Sequence, residues 1–173
     1  MRRFLFYFMI IGQIVVISFL TYQFEQIDKT GYEIRVQTLK PDFPVYGDFI
    51  DGDMYVEYDI NEISEEQWHI SSSIDYNTPV YILLRADKNG VYRAHQASTN
   101  KLTANNQNEF VLKGTYQYHD TKRDIHYVNY GMERIKHADQ FGIFRPDDEL
   151  VVTLLIGKWG QHKVTAIEKR NGL

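Results

Sequence analysis

The chain has 173 residues, 19 Lys+Arg against 23 Asp+Glu, and no cysteine. A disulfide framework and a lipidated cysteine are therefore excluded, and stability has to come from an apolar core. Without Arg2 and Arg3 the balance is 17 basic against 23 acidic residues, a net of −6, which disfavours nucleic acid or an anionic lipid surface as partner because both are bound through basic clusters.

Arg2-Arg3 opens an uncharged run from Phe4 to Leu20 that extends to Phe24. Its span of about 21 residues makes a helix roughly 31 Å long, the thickness of a bilayer's hydrocarbon core. A cleavable secretory signal would end in small residues, whereas this run ends in Phe19-Leu20-Thr21-Tyr22-Gln23-Phe24. The expectation is an uncleaved anchor in the bilayer over residues 4–24. Two arginines precede it, and Glu25 and Asp28 follow with only Lys29 against them. The positive-inside rule then keeps the N-terminus cytoplasmic and places the rest outside the cell membrane as a single-pass protein. The expected organisation is residues 1–24 as cytoplasmic tip and anchor, 25–30 as a polar stalk, and 31–173 as an extracytoplasmic β-rich domain.

Tyr32–Leu39 alternates apolar and polar residues as a half-buried strand does. Pro41 and Pro44 break the pattern, and Gly47-Asp48 with Gly52-Asp53 is turn chemistry. Met54–Ile60 is the clearest expected strand, with Met54, Val56, Tyr58 and Ile60 on one face. Ser64-Glu65-Glu66-Gln67 has the form of a capping box, so a short helix to about His69 follows, docked by Ile63 and Trp68. Pro79–Ala86 and Gly90–His95 flank Asp87-Lys88-Asn89-Gly90, a hairpin signal. Residues 96–108 read as a long surface loop.

Glu109–Tyr118 is the next strand, with Phe110, Leu112, Tyr116 and Tyr118 sharing a face; Gly114 among them suggests a bulge or a sheet bend. Ile125–Tyr130 returns from it, and residues 131–142 are less regular. Leu150–Ile156 reads as a strand buried on both faces, and Gly157-Lys158-Trp159-Gly160 turns it into His162–Glu168. Seven or eight strands with little helix predict a mainly β domain, an antiparallel β-sandwich or a partly open barrel with one short helix.

Four segments in order resemble the GDYXXLXY family of bacterial membrane-anchored proteins: Gly52-Asp53 to Tyr58, Val80-Tyr81-Ile82-Leu83, Leu112-Lys113-Gly114, and Tyr130-Gly131-Met132-Glu133-Arg134. The naming motif is altered. With Val56 and Tyr58 on its Leu and final Tyr, Gly52-Asp53 stands one residue too close; Gly47-Asp48-Phe49 fits the opening but sets Gly52 and Met54 in place of Leu and Tyr. The resemblance implies an anchored extracytoplasmic domain working beside a polytopic membrane protein, and marks Gly52, Asp53, Tyr58, Lys113, Gly114, Tyr130, Gly131, Glu133 and Arg134 as motif residues for binding or structure.

Chemistry-bearing constellations are sparse. Asp48, Asp51 and Asp53 could offer oxygens to a hard cation, but the 12-residue calcium-loop pattern is absent, and turn formation is the simpler role. Glu133 and His137 would share a face only on a helix, while adjacent Glu133 and Arg134 suit an ion-paired couple that fixes a loop. No nucleophile elbow, phosphate loop or His-Glu-x-x-His arrangement occurs. Tyrosines 55, 81, 92, 116, 118, 127 and 130 lie on expected strands, as core or as a stacking surface. The sequence thus favours a binding or accessory domain without cofactor, metal or nucleic acid, acting with a membrane protein or envelope component. The competing expectation is an envelope hydrolase using carboxylates of the Asp48–Asp53 loop with Glu133 or His137.

Overall fold

The computed structural model describes residues 2–39, 53–71, 73–142, 144–145, 148–158 and 160–170. Helix α1 spans Arg2–Thr30. Ten strands follow among the described residues: β1 Tyr32–Gln37, β2 Met54–Tyr55, β3 Glu62–Ser64, β4 Pro79–Ala86, β5 Tyr92–Ser98, β6 Glu109–Asp120, β7 Ile125–Asn129, β8 Arg134–Ile135, β9 Leu150–Ile156 and β10 His162–Lys169.

Five strands form an antiparallel sheet in the order β3-β7-β6-β4-β5. Its two edges meet. After β3 a single 3-10 turn, Glu65–Gln67, brings Trp68 into a bridge with Ala97 of β5, and the sheet curls nearly closed. A second sheet, β1-β9-β10, joins this one where Arg35 bridges Val91. Of the two expected architectures, the partly open barrel is the nearer description. One contiguous core runs through both sheets, from Ile34, Val36 and Leu154 to Ile82, Leu84, Leu112 and Val128.

Local sequence accounts for much of this. The β4–β5 hairpin forms at Asn89-Gly90, where Asp87 Oδ1 accepts the N–H groups of Asn89 at 2.8 Å and Val91 at 3.1 Å, an Asx turn that starts the reversal. β9 is buried on both faces, as its apolar run requires, because β1 and β10 flank it edge to edge while the core covers it. β5 continues to Ser98, so the loop expected from residue 96 begins three residues later, at Thr99.

Several expectations are corrected. Residues 25–30 are the last turns of α1, because Glu25, Gln26 and Lys29 are good helix formers and Ile27 finds a place to pack. The strand expected over Met54–Ile60 ends at Tyr55: its alternation of burial persists to Tyr58, which bridges Thr38, and a 3-10 turn over Asp59–Asn61 follows. The helix expected after Ser64 is only that one 3-10 turn, capped where Gln67 Oε1 accepts the Ser64 N–H at 3.0 Å; Ile63 and Trp68 are buried beside it. Gly114 is not a bulge, since it pairs with Val80 in continuous register. The bulge lies three residues on, where Tyr116 faces Val128 but Tyr118 faces Tyr127. That extra residue turns Tyr118 outward to 54% exposure and sets His119 opposite His126.

Candidate functional site

Residues of three motif segments, as far apart as Asp53 and Arg134, 81 positions along the chain, converge on one clasp. β2 pairs with β8, Met54 opposite Ile135 and Tyr55 opposite Arg134, and the Val56 N–H extends the ladder to the Glu133 carbonyl at 2.9 Å. Asp53 is buried at the entrance to β2. Its Oδ2 accepts Arg134 Nη2 at 2.6 Å and Nε at 2.8 Å, and its Oδ1 accepts the His137 backbone N–H at 3.0 Å. The backbone donor first, then the guanidinium, hold the Asp53 carboxyl below its usual range. The Arg134 guanidinium also lies 5.7 Å over the Tyr55 ring.

Asn61 is the hub of the inner layer. Its Oδ1 accepts the Tyr58 N–H at 2.7 Å, and its Nδ2 donates to the Val128 carbonyl at 2.7 Å and to Glu133 Oε1 at 2.9 Å. Glu133 Oε1 accepts the Tyr130 N–H as well, at 2.8 Å. Fully buried Tyr58 donates its hydroxyl to the Met132 carbonyl at 3.1 Å, and Tyr130 donates its own to the Ile60 carbonyl at 2.7 Å. Burial, reinforced by the nearby Glu133 charge, pushes both phenols up. The Tyr130 ring lies across Gly114, where a Cβ would come 2.5 Å from Val128 Cγ1 and 2.9 Å from Tyr130 Cδ1. Gly114 is required by close packing. Gly131 makes the turn between β7 and Met132 at φ +76°, its N–H held by Asn129 Oδ1 at 3.0 Å.

Asp53, Tyr58, Gly114, Tyr130, Gly131, Glu133 and Arg134 are thus brought together. Lys113, on β6 opposite Tyr81, projects to solvent. Gly52, Asp48 and Asp51 lie outside the described residues. The ion pair expected between Glu133 and Arg134 is replaced by two separate partnerships: Glu133 turns in to Asn61 and Tyr130, while Arg134 turns to Asp53. Residues 133–137 are not helical, and His137 at φ +51° offers Asp53 its backbone N–H while its own side chain is exposed. Among the described residues, Asp53, Glu133 and the His137 backbone thus serve hydrogen bonds that close the clasp. A cavity of about 200 Å³ lies elsewhere, between Tyr22, Gln26 and Thr30 of α1 and the turn at Gly157, Lys158 and Gln161.

Sequence reading missed two things. Asn61 carried no motif, and only the polar interruption Asp59-Ile60-Asn61-Glu62 marked the place. The second is a group of three side chains of metal-ligand type: Glu65, His119 and His126 bring one donor atom each within 4.8 Å of one another.

The GDYXXLXY protein family model matches residues 13–137. The chain belongs to the GDYXXLXY family. The match runs from within α1 through β8, so it contains the whole clasp, whereas β9 and β10, which complete the core beside β1, follow it in the chain. No curated protein and no solved structure matches the chain.

Proposed function

We propose that this GDYXXLXY protein is a single-pass membrane protein whose β-domain stands outside the cell membrane as a binding or accessory module, working with a polytopic membrane protein or an envelope component. The observation that carries the reading is the division of α1. From Phe6 to Tyr22 its large apolar side chains, apart from half-buried Ile10, are 53–72% exposed, an apolar surface that water disfavours and a bilayer accepts. Thr30 and Gln26 lie at the other end, and Ile27 alone among the described α1 side chains is buried against the β-domain. The helix is long and apolar enough to cross a membrane, and the Arg2-Arg3 pair supports a cytoplasmic N-terminus.

The helix continues into the domain without a flexible tether, since the Gly31 N–H is bound by the Ile27 carbonyl at 2.8 Å and β1 starts at Tyr32. An accessory domain held this way stays close to the bilayer, within reach of a neighbour in the same membrane. Photoreactive residues placed at Tyr55 and at Tyr118, both more than half exposed, test the partner in intact membranes. A recurrent adduct with one membrane protein is the expected result; adducts absent from both positions would remove the partner from the reading.

A further inference from the structure

We propose that Glu65, His119 and His126 bind one divalent first-row transition-metal ion, with zinc as the natural probe. Three elements build the site. β3 pairs with β7 so that Ile63 faces His126, and the capped 3-10 turn after Ser64 brings Glu65 to the Nε2 edge of that histidine. The extra residue of β6 at Gln117 then sets His119 opposite His126 across the β6–β7 pair; in an unbroken register residue 119 would face Ile125. The bulge thus creates the histidine pair.

His126 Nε2 lies 2.7 Å from Glu65 Oε2, and Asp124 Oδ1 lies 3.1 Å from His119 Nε2 on the outer side. Two imidazoles and a carboxylate form a borderline donor set, suited to zinc, nickel or copper and poor for calcium or magnesium. Ligand atoms about 2 Å from a tetrahedral ion lie roughly 3.3 Å from one another, so atoms already within 4.8 Å need to close by at most about 1.5 Å.

The site has one rigid ligand and two adjustable ones. His126 is buried and held flat against Trp68, ring centroids 4.0 Å apart at 7°. Its Nδ1 is buried without a partner, so the ring is placed by stacking and one polar contact, unlike any residue of the clasp. Glu65 is exposed and the His119 side chain is 30% exposed, which leaves room at the rim for a further ligand. His119 stacks on His126 at 4.1 Å and 9°. An imidazole ligates in its own ring plane, so binding requires His119 to turn about its Cβ–Cγ bond, and the stack opens as the ion enters.

The full chain in detergent micelles, titrated with zinc by calorimetry and with cobalt by visible absorption, tests this. One ion per chain is expected. Binding weakens at least tenfold in Glu65→Gln and in His119→Ala, and stays at wild-type strength in His95→Ala, whose side chain is exposed on β5. In a Trp159→Phe background the remaining Trp68 reports directly, and cobalt quenches its emission in wild type but not in His119→Ala. Absence of saturable binding overturns the proposal, as does equal affinity in wild type, Glu65→Gln and His119→Ala. Glu65 is 57% exposed and Gln keeps its shape, so its variant folds and keeps the comparison decisive.

Discussion

The clasp and the α1 junction are held together in opposite ways. At the clasp, Asp53, Tyr58, Asn61, Tyr130 and Glu133 exchange hydrogen bonds of 2.6 to 3.1 Å in a buried setting, and every one of these side chains is engaged. At the junction, among the described residues, one buried side chain, Ile27, packs over Gly157, beside an exposed Lys163–Asp28 pair at 2.7 Å, a long Gln161–Gln23 contact at 3.4 Å and a cavity. A satisfied buried network rigidifies, because breaking any member strands the others away from water. A junction with one apolar anchor and solvated polar contacts can adjust. The residues by which the family is recognised therefore secure the fold, while the angle between helix and domain is left to contacts that cost little to change.

The comparison breaks most visibly at Asn61. Asn61→Leu keeps the branched skeleton but removes partners from the Tyr58 N–H, the Val128 carbonyl and Glu133, and should destabilise the domain by about 4 kcal/mol in denaturant unfolding. An effect below about 1 kcal/mol would mean the clasp does not hold the fold.

Asp59 sharpens the comparison at the clasp's edge. Its carboxyl is pushed up to about 6, mainly by burial and against the pull of Arg93 2.6 Å away. A folded value raised above the unfolded one means the group favours the folded state when protonated. Its contribution is complete below about pH 4 and is lost as pH rises through about 6. Between pH 4 and 7 wild type should therefore lose about 3 kcal/mol relative to Asp59→Asn, read as the difference between two pH–stability curves. Parallel curves would contradict the burial of that charge.

Gly114→Ala should cost about 2 kcal/mol through overpacking against Val128 and Tyr130, seen as a lower denaturant midpoint at unchanged slope. At the junction, Lys163→Ala should change the same midpoint by less than about 0.5 kcal/mol, since both partners are more than half exposed. Its expected signature is faster hydrogen exchange in the last turn of α1 alone.

How much of this was legible depends on the range of the interaction. The β4–β5 hairpin follows from Asn89-Gly90 and Asp87 within five residues, and the double burial of β9 from seven consecutive apolar or small side chains. Met54–Ile60 misled because its alternation is real up to Tyr58; what ends the strand is Asn61, whose side chain captures the Tyr58 N–H that a ladder would have used. Tyr118 misled because period-two reading assumes an unbroken register, and the extra residue at Gln117 reverses every face beyond it. Gly114 showed that something approaches closely but not that it is Tyr130, sixteen residues on. The motif residues were found by resemblance, yet their partnerships were not: Glu133 and Arg134 are neighbours in sequence and diverge in space. The ligand group of Glu65, His119 and His126 was invisible for the same reason, since a strand pairing and a bulge assemble it.

The central claim is that the β-domain stands outside a membrane crossed by α1, and the lack of cysteine makes a direct measurement available. A single cysteine at Tyr76, 67% exposed in the turn before β4, is offered a membrane-impermeant maleimide on intact cells. Labelling without permeabilisation, on a protein that stays with the membrane through alkaline carbonate extraction, is the predicted result. Labelling that appears only after the membrane is opened, or release of the protein by carbonate, would contradict it.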